Sequence, residues 1–229
     1  MQTGQPENKN VTKERTQAVL TAVVCLLILK VTLTVVMNYR DYLPPNFDSD
    51  FLLDRDSYFF GAYQWAFYTH IAAGPLTLIL GMFLLSERMR RLFPKWHRYA
   101  GRVQVVLVLL MVTPSGIWMS MHAATGIVAG VGFASLAVAT GACVWLGWRS
   151  AVQRKFAQHR RWMTRCYILL CSAVVLRLTA GFFIVTHIDG EWTYPMPAWT
   201  SWLVPLLVFE LFAVKKSVGN RKLPEAAEK

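Results

Sequence analysis

The feature that most limits what this chain can become is a sixfold alternation of long apolar blocks with short charged segments. In lipid every backbone N–H and C=O must be paired within the segment itself, so apolar runs of about 20 residues resolve into transmembrane helices. The blocks read as spans at about 17–37, 57–85, 102–121, 126–148, 163–187 and 197–214, between polar tails at 1–16 and 215–229. The predicted fold is therefore an all-α integral membrane protein, a bundle of about six transmembrane helices. Only 16% of the residues are charged, against the quarter usual for soluble domains. The formal charge of +11 does not argue for nucleic acid as partner, because the basic residues sit in clusters between apolar blocks and form no continuous stripe. The first block lacks a small-x-small cleavage site after it and reads as a retained anchor.

Placing both tails and the segments 86–102 and 149–165 on one side puts 20 of the 24 basic residues there. Each of those two segments holds six of them. The opposite side keeps Arg40 and Arg55, together with most of the acidic residues. The positive-inside rule then predicts an N-in/C-in topology.

Local signals refine the spans. Tyr58, Phe59, Phe60, Tyr63, Trp65, Phe67 and Tyr68 open the second span with the aromatic belt of a headgroup region. His122, Ala123, Ala124 and Thr125 leave room only for a tight turn, so spans three and four form an antiparallel hairpin. Gly126, Gly130 and Ala134 recur every four residues, a stripe along which helices can approach closely. Pro75, Pro114 and Pro205 each free a carbonyl four residues earlier. Cys25, Cys143, Cys166 and Cys171 all fall within spans without a C-x-x-C pair, and read as small packing residues.

The histidines sort into an outer set, His70, His122 and His187, and an inner pair, His97 and His159. His70 lies roughly 24 Å from the inner end of span two at 1.5 Å per residue. Histidines on neighbouring helices can hold haem, which makes His70 a candidate haem ligand. A hydrogen bond to a neighbouring helix is the other reading, and His122 and His187 read as interfacial polar residues. The inner pair carries arginines in a repeated arrangement. One copy is Trp96-His97-Arg98 with Arg102, and the other is His159-Arg160-Arg161-Trp162 with Arg165. Spans two–three and four–five thus look like copies of one another. Arginines at helix starts make an anion site, for which His97, Arg98, Arg102, His159, Arg160 and Arg165 are the candidates. Ordinary interfacial arginines and tryptophans would look the same.

Lys30, Arg177 and Glu210 are ions within spans. Arg177 is expected to face the bundle interior, a cavity or a cofactor carboxylate, since it is costly to leave in lipid. Glu210 could reach it with helix tilt or the kink that Pro205 supplies. No G-x-x-x-x-G-K-[ST], H-E-x-x-H or G-x-S-x-G motif is present, which leaves nucleotide hydrolysis, zincin and serine-hydrolase chemistry without support.

The run Tyr68-x-His70-x-x-x-Gly74-Pro75, then His97-Arg98-x-x-Gly101-Arg102, then His159-Arg160-x-Trp162-Met163-x-Arg165, resembles an uncharacterised prokaryotic family of predicted multi-pass membrane proteins with a domain of unknown function. The resemblance covers roughly 55–215 and implies a bacterial cytoplasmic (inner) membrane location. A fainter likeness, in helix count and histidine placement, is to helical membrane cytochromes b. It stops at the lack of two histidine pairs at matched depth.

Three functions follow as expectations. The first is an accessory or ligand-binding membrane protein whose His-Arg segments hold an anionic group, such as an anionic lipid or another membrane protein. The second is a redox protein binding haem b or quinone, with His70 as ligand and Arg177 facing the cofactor. The third is a small transporter using Arg177 and Glu210. Oligomeric state is not legible.

Overall fold

A computed structural model describes residues 6–49, 51–124 and 126–221. Lys222 and Lys229 of the tail, and Thr125 of the tight turn, lie outside the described residues, as do the side chains of Lys9, Lys13, Lys216 and Arg221. Among the described residues there is no β-strand, and six helical stretches are long and apolar enough to cross a membrane. The chain divides into two units, Met1–Leu53 and Asp54–Lys229.

The first unit is built on α1 (Pro6–Met37), whose apolar stretch is Arg15–Asp41. The helix starts well before the apolar block, so part of the segment read as a polar tail is helical. Thr21 and Thr34 turn their hydroxyls back to carbonyls four residues earlier, which satisfies them without water. Lys30 is exposed on this helix. A 3₁₀ turn at Asn38–Asp41 ends it, and the loop beyond is held by Asn46, whose Oδ1 accepts the Asp48 N–H at 3.0 Å.

The second unit carries α2 (Asp56–Phe59), α3 (Ala62–Leu85), α4 (Glu87–Leu92), α5 (Pro94–Val106), α6 (Thr113–Ser120), α7 (Ile127–Val152), α8 (Phe156–Leu170), α9 (Ser172–Thr186) and α10 (Pro195–Arg221). The third span is α5 and α6 joined by a π-helical turn at Leu107–Val112. Pro114 follows directly, and having no N–H it cannot close the α ladder there, so the extra residue is accommodated as a π turn. The fifth span is α8 and α9, offset at Cys171.

The two basic segments are mostly helix and not loop. Ser86 caps α4 by accepting the Met89 N–H, and Pro94 opens α5 at its first turn, where a missing N–H costs nothing. In the other copy α7 runs on to Val152, and three residues with Arg154 in the left-handed region (φ 58°) turn the chain into α8.

Helices α3, α5, α7 and α8 form a closed ring. α3 packs on α5 and α8, and α7 packs on α8 and on α5, so α5 and α8 lie on opposite corners. α10 covers α7, α8 and α9. Close approach along α7 uses more glycines than the anticipated stripe. A Cβ on Gly130 would meet the Ser120 carbonyl oxygen at 2.7 Å, and one on Gly147 would meet Met163 Sδ at 2.7 Å. Gly126 is not in that contact, because it precedes the helix with φ 81°. Its conformation, not its size, explains the residue.

Candidate functional site

Three polar centres sit at different levels of the second unit. At the basic end of the bundle, the inner one in the expected topology, the two His-Arg segments are brought together. His97 and His159 are each the fourth residue of their helix, α5 and α8. Each helix is entered through a residue of similar, non-helical backbone, Phe93 (φ −129°, ψ 64°) and Lys155 (φ −84°, ψ 68°). Phe93 and Lys155 also accept the first-turn N–H of His97 and His159, at 3.0 and 2.9 Å. The repeat legible in the sequence is thus a repeat of local structure.

The two imidazoles lie within electrostatic reach of one another, and Arg90 acts on His97 as well. His159 Nδ1 is 2.9 Å from the Gly147 carbonyl oxygen. A carbonyl only accepts, so Nδ1 carries the proton and Nε2 keeps the lone pair. A buried ring nitrogen of His97, Nδ1, has no hydrogen-bond partner. Seven residues further along α5 is Gln104, only 2% exposed. Its Nε2 donates to Thr77 O at 3.1 Å, and its Oε1 is unpartnered. Tyr167 of α8 donates to Leu78 O at 3.2 Å, and its ring and the Gln104 amide both lie against Gly81 of α3, completing a polar layer above the histidines.

Around this pair the charge is strongly positive. Glu87 accepts from Arg90 at 2.9 Å and lies 3.5 Å from Arg91 and 3.6 Å from Arg160. The last contact ties α4 of one copy to α8 of the other. Arg98 and Arg102 are exposed on α5, and Arg160 is exposed on α8. Arg165 departs from the anion-binding set. Its Nε and Nη2 donate to Glu210 Oε1 and Oε2 at 2.6 and 2.9 Å, and its guanidinium lies 4.6 Å from the Trp162 ring centroid.

At the middle level His70 faces the π turn. Its Nδ1 is 3.0 Å from Ser115 Oγ. Ser115 spends its own proton on the carbonyls of Met111 and Val112, so His70 is the donor in that contact. Arg177 is within electrostatic reach of His70 but is exposed on α9, its Nη1 donating 2.9 Å to Ala173 O one turn below. The expected inward orientation is not what the structure shows. Among the described residues of the second unit, α9 packs on α8 and α10, and the long side chain reaches back along its own helix. Nor does Glu210 pair with Arg177, since both its oxygens are engaged by Arg165.

The opposite end of the bundle holds a centre the sequence did not single out. Arg55 is only 6% exposed, and its Nη1 donates to Tyr58 OH, Tyr63 OH and His122 O at 3.0, 3.1 and 3.0 Å. Tyr58 stacks on the His122 ring at 4.9 Å, and Tyr63 meets it edge-on at 5.1 Å. Burial pushes the nearby Tyr194 phenol up, against the opposing charge of Arg55. His122 is thereby taken up by this cluster, and His187 is exposed in the left-handed turn that ends α9. Only the crowd of aromatics around residue 58 hinted at it. Among the described residues no group of three or more His, Cys, Asp or Glu could hold a metal ion.

No curated protein and no solved structure matches the chain. A family model does match, over residues 67–213, a stretch that takes in His70, the π turn, both His-Arg segments and the Arg165–Glu210 pair. The chain is a multi-pass membrane protein and belongs to the family described as predicted membrane protein (DUF2306).

Proposed function

We propose that this is a bacterial inner-membrane protein, both ends in the cytoplasm, whose inner end holds an anionic group between its two His-Arg segments. The observation that carries this reading is the Glu87–Arg160 contact at 3.6 Å, which joins the segments into one basic surface. Segments 86–102 and 149–165 together contain twelve basic residues and a single acid, Glu87. That acid already serves three arginines, so Arg98 and Arg102 are left to attract negative charge from outside the chain. Guanidinium groups suit phosphate and carboxylate oxygens because they present two parallel donors.

The test is retention of phosphatidylglycerol by the detergent-purified full chain, with phosphatidylcholine as the neutral reference. Arg98→Ala with Arg160→Ala should lower phosphatidylglycerol retention severalfold and leave the neutral lipid unchanged. Equal loss of both lipids, or of neither, rejects the reading.

A further inference from the structure

We infer that His97 and His159 form a two-histidine axial site for a haem, with the arginines beside them meeting its carboxylates. The inference rests on the reading of the inner end as an anion-holding site and names the anion as the carboxylate edge of a flat macrocycle.

Four observations converge on it. The first is level: the two histidines hold the same position in structurally repeated helices, so they enter the ring of helices at one depth. The second is placement. α5 and α8 occupy opposite corners of the ring and pack on α3 and α7, not on each other. The two imidazoles act on one another electrostatically although their helices do not pack together, a relation that two axial ligands of one iron require. The third is chemistry. Gly147 fixes the His159 proton on Nδ1 and so presents an unprotonated Nε2, the arrangement in which a ligating imidazole is held by its other nitrogen. The fourth is unmet bonding: the buried Nδ1 of His97 and the buried Oε1 of Gln104, one above the other on α5, both lack partners. Buried polar atoms without partners are uncommon in folded chains, so this face of α5 carries bonding capacity that the described residues do not meet.

The surroundings suit an amphiphilic anion. Trp96 and Trp162 stand one residue before His97 and three after His159, Trp96 largely exposed and Trp162 against the Arg165 guanidinium, while Arg98 and Arg160 follow each histidine directly. His70 does not offer an equivalent site, because no second histidine shares its level. His122 is held in the Arg55 cluster and His187 lies exposed at the end of α9.

The experiment is a haemin titration of the full chain, purified in mild detergent from cells supplied with a haem precursor, read by oxidised and dithionite-reduced visible spectra and by iron content. The expected result is about one haem per chain with the spectrum of a six-coordinate, two-imidazole iron. His97→Ala and His159→Ala should each abolish that spectrum, with external imidazole restoring it. His159→Met should retain haem and shift the bands, which separates lost ligation from lost fold. His70→Ala should leave the spectrum unchanged. No band above that of free haemin, or a band indifferent to both inner histidines, overturns the inference, whatever the arginine variants do to phosphatidylglycerol retention. Conversely, a spectrum that depends on both inner histidines upholds the site even where that lipid retention is indifferent to Arg98 and Arg160.

Discussion

Arg165 and Glu210, 45 residues apart, meet in a two-pronged ion pair with N–O distances of 2.6 and 2.9 Å. The pair bolts α8 to α10 near the inner ends of the fifth and sixth spans. Trp162 backs the guanidinium from the other side. Each ion alone would be a net cost at the edge of a hydrocarbon layer, and together they offset one another.

Glu210→Ala should therefore lower the thermal midpoint in detergent by an amount corresponding to about 2 kcal/mol, between the limits for surface and buried pairs. Arg165→Ala should cost at least as much because it also removes the contact with Trp162. The exchanged double variant Arg165→Glu/Glu210→Arg should recover part of the loss. Recovery of none of it would mean that the two residues act separately.

Arg55 makes a second prediction. With its three contacts to Tyr58, Tyr63 and the His122 carbonyl, it fastens the start of the second span to the turn after the third. Hydrogen bonds to a charged donor are worth about 1.5–3 kcal/mol each, and a truncated arginine leaves buried acceptors behind. Arg55→Ala should destabilise the chain by on the order of 3 kcal/mol. Arg55→Lys should rescue little, since one ammonium cannot reproduce the planar fork. Proteolysis of the outer turns, monitored with temperature, would expose the loosening.

Glycines give a paired test of the packing. A Cβ at Gly81 would sit 2.6 Å from the Tyr167 ring, whereas one at Gly101 would have no heavy atom within 4 Å. Gly81→Ala should cost about 1–3 kcal/mol through overpacking, and Gly101→Ala should be neutral or stabilising by up to about 1 kcal/mol through helix propensity. Thermal midpoints of both variants, purified in parallel, decide it. A damaging Gly101→Ala would mean that something fills the space beside that residue.

What the sequence made legible was set by scale. Spans of some twenty apolar residues signal themselves, because lipid leaves the backbone no alternative to a helix. The repeat around His97 and His159 was visible because its residues lie close together along the chain. Which residues meet across the ring was not visible, since no periodicity encodes helix order. That is why the sequence offers Arg177 as a partner for Glu210 where the structure supplies Arg165. Gln104 and Arg55 were missed for a related reason. A lone glutamine in an apolar run and a lone arginine near an aromatic belt look ordinary until their partners, Thr77 and His122, arrive from distant segments.

The orientation of the chain is the last prediction, and it follows from charge alone. Segments 86–102 and 149–165 hold six basic residues each, so they resist translocation, and the turns near 122 and 189 are left on the far side. Of the four cysteines, Cys25, Cys143 and Cys166 lie within helices and Cys171 at the junction of α8 and α9; Cys143 and Cys166 are buried. A chain with those four replaced by serine or alanine would report on one added cysteine at a time. A cysteine at Asp189 should react in intact cells with a membrane-impermeant maleimide. One at Gln153, in the short turn between α7 and α8, should react only after permeabilisation. The reverse pattern would place the histidine pair on the outer side. The arginines around it would then face a surface free of the cytoplasmic pool of anions, and the proposed role of the inner end would fall with the topology.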